Sequence, residues 1–409
     1  MKEALYIYNI FPRLYKDTKK WIHCVERAKY MGFNTIFLNA FFKCGASNSI
    51  YSIYDYYSFD KLSFQKFCDP EREIKKFNKY CHKQNMYTLV DLVINHTAPD
   101  SPLVKNHKSW YKFDKKGNVL PAGTPSDNGY HVWEDTAKLC YQKDDENGLK
   151  KYMLEVCKYY LELGFSGFRC DVASFVDPEV WDYLISEIRK IKPDAIFIGE
   201  SFMSPSSTMV RMGQSGFDYI FSSSKWWDYE GDWLLNQYND CKDHVCSISF
   251  PDNHDTERLI KTCKYDYNLF LQRVYFTGLF SKSFYITDGL EFACKKDLNV
   301  VTTRNRDIEK AKHNFMPEIK ELLRIKSQFA PLHEESDTVI LHNDDKYICL
   351  EKTYNKEKVL IIINKTSSKI KVKFVKDNLI TKKELINGKK KKKFKILPMK
   401  VQVFEVNQK

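Results

Sequence analysis

The sequence predicts an α/β fold: a (β/α)8 TIM barrel with a small inserted subdomain after strand 3 and a C-terminal antiparallel β domain. Short, almost continuously apolar runs alternate with longer segments of helical periodicity, which is typical of parallel strands buried on both faces. Eight strands with intervening helices are what a closed barrel needs, so we favour it over an open doubly wound sheet. The eight runs lie at residues 4–11, 34–41, 86–94, 165–173, 195–201, 218–224, 247–255 and 282–291.

Two of the intervening segments are clear amphipathic helices. In residues 148–164, Leu149, Met153, Val156 and Tyr160 form one apolar stripe, and Gly164 is placed to end the helix. In residues 177–193, Asp177 can cap a helix whose first residue is Pro178.

Two other segments depart from this alternation. Residues 96–146 are too long and too rich in turn residues for a plain loop, which indicates an inserted subdomain B. After residue 334 the pattern changes to short alternating runs, with Asn387-Gly388 marking a hairpin turn. We therefore expect a catalytic barrel at 1–95 and 147–334, subdomain B at 96–146 and a C-terminal β-sandwich domain at 335–409.

The formal net charge of +12 carries little functional weight, because the lysines are spread widely. The densest run, residues 388–397, is typical of a solvated strand edge or hairpin. We expect neither nucleic acid nor membrane as a partner, and binding to an anionic surface through these lysines is the weaker alternative.

The cysteine pattern favours reduced thiols over disulfides or a metal site. Twelve cysteines occur without a CxxC pair, and several, such as Cys24, Cys81 and Cys157, have the spacing of helix cores. The sequence shows neither a secretory leader nor an apolar run long enough to span a bilayer. We expect a soluble, cytoplasmic protein; its oligomeric state stays open.

Polar side chains gather where the proposed barrel strands end. Taken singly, each has an ordinary structural explanation, such as a turn residue, a core histidine or an ion pair. Their coincidence at successive strand ends indicates an active site, because the carboxyl ends of barrel strands meet at one mouth. In chain order these residues are Asp91, Asn95, His96, Arg169, Asp171, Glu200, Asn253, His254 and Asp255.

This grouping fits cleavage of a glycosidic bond with retention of configuration. That reaction needs an ionised carboxylate as nucleophile and a protonated acid ~5–5.5 Å away. Arg169 and Asp171 share a strand face, and we expect the arginine to keep Asp171 ionised. Glu200 follows an apolar strand, where a raised pKa would suit a proton donor.

Four short motifs in the chain resemble those of a known enzyme family. "DLVINH" (91–96), "GFRCDVASF" (167–175), "GESF" (199–202) and "FPDNHD" (250–255) resemble the four motifs of the α-amylase family, glycoside hydrolase family thirteen, in the same order. The resemblance covers nearly the whole chain. A looser likeness to maltosyltransferases that use maltose 1-phosphate favours an intracellular α-glucan enzyme.

The resemblance implies a role for each site residue. Asp171 is the nucleophile, Glu200 the general acid/base and Asp255 the third carboxylate that grips sugar hydroxyls, while Arg169 orients the nucleophile. The remaining residues are expected to bind substrate in or near the subsite of the reacting sugar. They are Tyr51 as the stacking ring, Asp55 from the same motif, Asp91, His96 and His254.

Three positions depart from the family pattern. Ser174 and Phe175 stand where many α-amylases have Lys-His, which serve the leaving-group side and the calcium site. Phe175 cannot ligate a metal, so we expect no cofactor, and calcium is left as an alternative because Asn95 is retained. Ser52 replaces an aspartate after the stacking tyrosine.

These observations predict a retaining glycosidase that cleaves α-glucosidic bonds of an α-glucan or maltooligosaccharide through a covalent glycosyl-Asp171 intermediate. An intracellular transglycosylase or maltosyltransferase is the alternative, since both use the same carboxylates. An isomerase of the trehalose-forming type ranks third among the catalytic alternatives. A catalytically inactive binding protein is disfavoured because all three carboxylates are present.

Overall fold

A computed structural model describes residues 2–126, 129–142, 145–372, 380–386 and 395–407. In this part of the chain, eight parallel strands close into a barrel in sequential order, with the eighth paired to the first. Each strand overlaps one of the apolar runs, so the predicted barrel is confirmed. The strands are β1 (Tyr6–Ile10), β2 (Thr35–Leu38), β3 (Tyr87–Leu92), β4 (Gly167–Cys170), β5 (Ile196–Gly199), β6 (Tyr219–Phe221), β7 (Cys246–Ser249) and β8 (Ser283–Thr287).

A long helix follows each strand. The Asp177 side chain accepts a hydrogen bond from the N–H of Glu179, with Pro178 as the first helical residue, and Gly164 adopts a left-handed φ of 96° past the preceding helix. No helix in the described ranges combines the length and apolar character needed to cross a membrane. The helices are α1 (Thr18–Met31), α2 (Pro70–Lys83), α3 (Leu149–Glu162), α4 (Pro178–Ile191), α5 (Ser206–Gln214), α6 (Trp233–Cys241), α7 (Tyr267–Phe280) and α8 (Met316–Gln328).

Short helical turns occupy several connections. The four-to-five-residue helices are Pro12–Tyr15, Pro102–Asn106, Leu259–Thr262 and Ala330–His333. The 3₁₀ turns are Lys108–Trp110, Ala173–Phe175, Ser224–Trp226, Leu290–Phe292 and Asn305–Asp307.

The barrel interior is a packed apolar plug rather than a channel. Side chains from alternate positions of the strands fill it, and Phe221 and Phe250 lie where β6 and β7 end. At Gly167, a Cβ atom would lie 2.0 Å from the carbonyl oxygen of Ile196. Glycine therefore permits the close approach of β4 and β5, the two strands that carry Arg169, Asp171 and Glu200.

The segment between β3 and α3 has secondary structure of its own. His96–Thr97 pairs with Ala137–Lys138, and Ala122–Ser126 forms a hairpin with Gly129–Trp133. A further antiparallel pair, Phe42–Cys44 with Ile53–Phe59, lies after β2. The segment after β3 returns towards the barrel mouth, because the rings of His96 and Trp133 are 5.6 Å apart.

An antiparallel sheet follows the barrel, as predicted. Its strand order is β9-β10-β11-β13-β12, and a separate pair joins Ile370–Lys371 to Lys395–Ile396. The predicted Asn387-Gly388 turn and lysines 389–393 lie outside the described residues. The strands are β9 (Asp337–Asn343), β10 (Tyr347–Tyr354), β11 (Glu357–Asn364), β12 (Ile380–Glu384) and β13 (Val401–Asn407).

Two buried lysines donate to carbonyl groups at the end of α7, and Lys352 thereby joins this sheet to the barrel. Lys352 of β10 donates to the carbonyl oxygen of Phe280, the last residue of α7, at 2.5 Å. Lys326 of α8 donates to the carbonyl oxygen of Ser281 at 2.6 Å. The end of α7 has carbonyl groups that no helical N–H can reach, and the two ammonium groups satisfy them.

The twelve cysteines are free thiols, and seven of them are buried. Cys24, Cys81 and Cys157 belong to the apolar cluster between the strands and the helices. Burial raises the pKa of all three, so these side chains act as small apolar core residues.

Candidate active site

The mouth of the barrel gathers charged residues from four strands. Asp91 lies in β3, Arg169 in β4, Asp171 directly after β4 and Glu200 directly after β5, and all four are buried. Asp255 lies on the loop after β7. Buried charges are costly unless they are paired, so the arrangement of these side chains must offset their burial.

Arg169 is the centre of this cluster. Its Nη1 donates to Asp91 Oδ1 at 2.7 Å and to Asp171 Oδ1 at 2.6 Å. Its Nη2 lies 2.7 Å from Glu200 Oε1. One guanidinium therefore holds three carboxylates that are separated by up to 109 positions in the chain.

The two carboxylates nearest the proposed chemistry both have raised pKa values. Burial raises the pKa of Asp171 well above its ordinary range, with Arg169 opposing and the Glu200 charge adding to the rise. Burial likewise raises the pKa of Glu200, and Arg169 again opposes. Arg169 lowers the Asp171 pKa, in the direction expected from the sequence, but burial is the larger effect and leaves the pKa raised. Asp171 and Glu200 titrate as a pair.

The backbone after β4 also contacts Glu200. Val172 adopts a left-handed φ of 39°, which is uncommon for a β-branched residue. In this conformation its N–H donates to Glu200 Oε2 at 2.6 Å. Strain of this kind clusters at functional sites, and here it directs an N–H at a carboxylate.

Tyr51 is fixed by hydrogen bonds on several sides. Its hydroxyl donates to Asp91 Oδ2 at 2.8 Å, accepts from Asn39 Nδ2 at 3.1 Å and lies 2.5 Å from His254 Nε2. The guanidinium carbon of Arg169 is 6.0 Å from the centre of its ring. The phenol ring therefore has one well-defined position beside the carboxylates.

Asp255 differs from the other carboxylates because 42% of its side chain is exposed. Its Oδ2 lies 3.0 Å from His254 Nε2. Burial opposes ionisation of Asp255, but the charge and hydrogen bond of His254 outweigh this effect and lower its pKa. Asp255 is thus an ionised, accessible acceptor at the rim of the site.

His96 is a neutral imidazole, because burial lowers its pKa to about 4. Its Nδ1 lies 3.3 Å from Asn95 Oδ1, and Asn95 Nδ2 donates to the carbonyl oxygen of Phe175. Asn95 therefore uses its amide to position His96 and the loop after β4.

Asp55 lies apart from the cluster. Its carboxylate accepts hydrogen bonds from the N–H of Tyr57 and the hydroxyl of Ser58 within its own strand. Ser52, the residue directly after Tyr51, donates to the carbonyl oxygen of Asp135 and so ties the start of this strand to the segment after β3. The structure brings the other eight predicted site residues to the mouth and leaves Asp55 outside their contacts.

Three contributors were not predicted: Asn39, the Val172 N–H and Trp133. Asn39 follows β2 directly, and its place at the end of a barrel strand could have identified it as a candidate site residue. Nothing in the local sequence indicates the left-handed backbone at Val172. Trp133 reaches His96 only through the hairpin fold of the segment after β3.

Several known proteins are similar to this chain. The family model "Glycogen debranching enzyme, glucanotransferase domain" matches residues 1–115. A cyclomaltodextrinase of Geobacillus thermopakistaniensis is 25% identical over 368 residues, covering 82% of this chain and 60% of that protein. An α-1,4-glucan:maltose-1-phosphate maltosyltransferase of Picrophilus torridus is 20% identical, covering 90% of this chain and 61% of that protein.

An intracellular maltogenic amylase of Bacillus subtilis is 24% identical over 82% of this chain and 60% of its own length. The chain spans about three fifths of the length of these curated relatives. The solved maltogenic α-amylase AmyB of Thermotoga neapolitana shares the fold, with a TM-score of 0.77 and 23% identity over 99% of this chain and 97% of that chain. In its barrel, its four motifs and these relatives, the chain is similar to proteins of the α-amylase family.

Proposed function

We propose that this protein is a retaining glycosidase that cleaves α-glucosidic bonds of an α-glucan or maltooligosaccharide. The observation that carries the proposal is the shared guanidinium: neighbouring nitrogens of Arg169 hold one oxygen of Asp171 and one of Glu200. Carboxyl groups ~5–5.5 Å apart are typical of retaining enzymes, whereas inverting enzymes leave ~6.5–9.5 Å for a water molecule. The relatives named cyclomaltodextrinase and maltogenic amylase support the same substrate class.

The proposed reaction has two steps. First, an Asp171 carboxylate oxygen attacks the anomeric carbon while Glu200 gives its proton to the glycosidic oxygen, and the carbon–oxygen bond to the leaving group breaks. Second, Glu200 removes a proton from water or a sugar hydroxyl, whose oxygen displaces Asp171. Two inversions restore the α configuration.

The raised pKa values of Asp171 and Glu200 suit this cycle. The pair keeps a proton to higher pH than two separate carboxyl groups would, because burial disfavours a second negative charge. We assign that proton to Glu200 when the glycosidic oxygen approaches it. Asp171 is then the ionised member of the pair, and the positive charge of Arg169 stabilises it.

The surrounding residues would grip the sugar. Ionised Asp255 accepts hydrogen bonds from ring hydroxyls. The neutral ring of His96 and the ring of His254 offer nitrogens, and Tyr51 offers a ring face and a hydroxyl. The chain's own carboxylates and Arg169 supply the acid, the nucleophile and the charge compensation, so the proposed reaction takes no step through a metal ion.

Transfer to a sugar is the second candidate. A relative named a maltosyltransferase matches 90% of this chain, and the matching family model describes a glucanotransferase domain. Both reactions share the first step and differ in the acceptor of the second. We also propose a cytoplasmic location, since a Bacillus subtilis relative is named intracellular.

Proton NMR of maltohexaose with the purified protein tests these proposals, in parallel with and without inorganic phosphate. New reducing sugars that appear first as α-anomers would support a retaining hydrolase. Longer oligomers without new reducing ends would identify a transglycosylase, and a phosphate-dependent sugar 1-phosphate a maltosyltransferase. Products that appear first as β-anomers would overturn retention, and no turnover would favour a binding protein.

A further inference from the structure

Trp181 of α4 reaches back to the loop that carries the proposed nucleophile. Its indole Nε1 donates to the carbonyl oxygen of Ala173 at 3.0 Å, and both residues are buried. Asp177 caps α4 and Pro178 is its first residue, so Trp181 is the fourth residue of the helix. Helical side chains point back towards the N-terminus of their helix, which directs this indole at the loop between β4 and α4.

The loop that Trp181 contacts holds the left-handed Val172. Ala173 directly follows Val172 and begins the 3₁₀ turn Ala173–Phe175. Val172 has a φ of 39° and a ψ of 40°, a conformation that a β-branched residue keeps only where surrounding contacts impose it. The hydrogen bonds inside the turn are those that any 3₁₀ turn makes, so they do not explain the left-handed residue before it.

Two side chains from outside the turn hold it in place. Asn95 Nδ2 donates to the carbonyl oxygen of Phe175 at 3.3 Å, and Trp181 makes the shorter contact with Ala173. The ring of Trp181 also packs edge-on against Phe217, with 5.0 Å between the ring centres, inside the core between strands and helices. Trp181 therefore ties the loop to the most rigid part of the fold.

The conformation of Val172 decides where one backbone N–H points. That N–H donates to Glu200 Oε2 at 2.6 Å. A hydrogen bond to a carboxylate favours its charged form, so this contact opposes the burial that raises the pKa of Glu200. Once the proton has passed to the leaving oxygen, the same N–H stabilises the carboxylate that remains.

We propose that Trp181 is a positioning residue for the general acid: its indole N–H fixes the Ala173 carbonyl, and this keeps the left-handed Val172 N–H on Glu200. The inference rests on the proposed function, in which Glu200 protonates the glycosidic oxygen. If Trp181 served packing alone, its loss would weaken the fold and every step of the reaction alike.

Two changes at position 181 remove the donor. Trp181→Phe keeps an aromatic ring, and benzothienylalanine in place of Trp181 keeps the size of the indole and replaces its N–H with sulfur. The N–H of Val176 also donates to the Ala173 carbonyl at 3.3 Å, so neither change leaves this buried oxygen unpaired. Trp21→Phe is the matched control, because Trp21 is a fully buried indole of α1 whose Nε1 has no hydrogen-bond partner among the described residues.

Two substrates separate acid catalysis from the rest of the reaction. Maltohexaose needs the proton of Glu200, whereas the fluoride of α-maltosyl fluoride leaves with little need for one. We expect both changes at position 181 to lower kcat/KM for maltohexaose at least about fivefold more than for maltosyl fluoride, because a hydrogen bond to a charged group is weakened. Trp21→Phe should leave this ratio as in the parent.

The pH profile gives a second reading of the same contact. With its N–H donor displaced, the Glu200 carboxylate is less stable and its pKa rises further, so the alkaline decline of kcat/KM for maltohexaose should move to higher pH. The other titratable and charged groups that face Glu200 are unaltered in these variants; they are Arg169, Asp171, His254 and Asp255.

A second substitution tests the route through Val172. Glycine adopts a left-handed φ without the steric cost of a side chain, so Val172→Gly added to Trp181→Phe should recover much of the lost activity on maltohexaose. A packing defect at position 181 would not be repaired by a change on the loop. Absence of any recovery would overturn the route through Val172, and the inference with it.

The remaining outcomes separate this inference from the proposed function. An equal loss on both substrates with an unmoved alkaline decline would leave Trp181 a packing residue and overturn the inference. A parent-like ratio and profile with benzothienylalanine at position 181 would do the same. Failure of the unaltered protein to turn over maltosyl fluoride would instead overturn the proposed function, on which the role of Trp181 depends.

Discussion

Arg169 Nη2 lies 2.7 Å from Glu200 Oε1, although the two residues are 31 positions apart in the chain and belong to different strand ends. The same guanidinium also contacts Asp91 and Asp171 through its other nitrogen. A planar guanidinium can serve three oxygens in fixed directions, whereas an ammonium group is a point charge on a flexible chain.

Arg169→Lys is therefore expected to lower kcat by about 10²–10³, since one lysine cannot orient both carboxylates. Arg169→Ala is expected to destabilise the protein by about 3–5 kcal/mol, because it leaves buried carboxylates without a cation. Steady-state kinetics and urea unfolding measure the two effects. Arg324→Lys, at an exposed pair with Glu321, is the control. Unchanged kcat in Arg169→Lys would contradict the assigned role.

Asp171→Asn is expected to remove activity and yet to stabilise the fold near neutral pH. The Asp171 pKa is raised on folding, so the folded state binds the proton more tightly and stability falls as pH rises above the ordinary carboxyl range. Asparagine lacks this charge and can still accept from Arg169. Unfolding midpoints of variant and parent should differ more at pH 7.5 than at pH 4, and a difference independent of pH would contradict the shift.

The same pair predicts the pH dependence of catalysis. Glu200 must be protonated to act as the acid, so kcat/KM for maltohexaose should fall as pH rises through its raised pKa. α-Maltosyl fluoride is a suitable comparison substrate, because its fluoride ion leaves with little need for a proton. The rate profile with maltosyl fluoride should therefore lack this alkaline decline, and a decline of equal depth for both substrates would argue against Glu200 as the acid.

Asn39→Ala tests the support of Tyr51. Losing the amide that donates to the Tyr51 hydroxyl should loosen the ring and raise KM for maltohexaose, with kcat/KM falling roughly tenfold, about the worth of one hydrogen bond. Asn39→Asp keeps the size and removes the donor, so it should show a similar loss. If Asn39→Ala behaved like the parent, the contact would have no positioning role.

Lys352 predicts a rise of stability in alkali. Burial lowers its pKa to about 8, so between that value and the ordinary range near 10.5 only the unfolded chain keeps the proton. Stability from this group therefore increases as pH rises through that window. Urea midpoints at pH 7.5 and 9.5 should show this in the parent and less in Lys352→Met, with exposed Lys320→Met as control. Identical slopes in all three would contradict the shift.

The barrel strands could be predicted because each is a short run of apolar residues that needs no distant partner to be recognised. The start of α4 could also be predicted, because Asp177 caps the helix and Pro178 is its first residue, so the signal is local in sequence. The carboxylates were found because strand ends converge, which is a property of the fold class rather than of any single residue.

What the sequence could not provide were contacts and shared charges. That Arg169 serves three carboxylates depends on side chains from three strands, and the raised pKa of Asp171 follows first from its burial. Asn39 and Trp133 are distant along the chain from Tyr51 and His96, which they contact in the folded protein. Asp55 belongs to a site motif, but its carboxylate accepts hydrogen bonds within its own strand. Contacts of this kind are set by tertiary packing, and the hydrophobic periodicity of one segment does not predict them.

The two lysines at the end of α7 have a consequence for how the chain unfolds. Without the sheet that carries Lys352, the Phe280 carbonyl would lose its partner, and the barrel would lose the apolar side chains of β10, β11 and β13 that share its core cluster. The barrel and the sheet are therefore expected to melt in one cooperative transition. A shortened chain that ends at α8 would then be prone to aggregation, because the barrel side chains that pack against β10, β11 and β13 would be left as an exposed apolar surface.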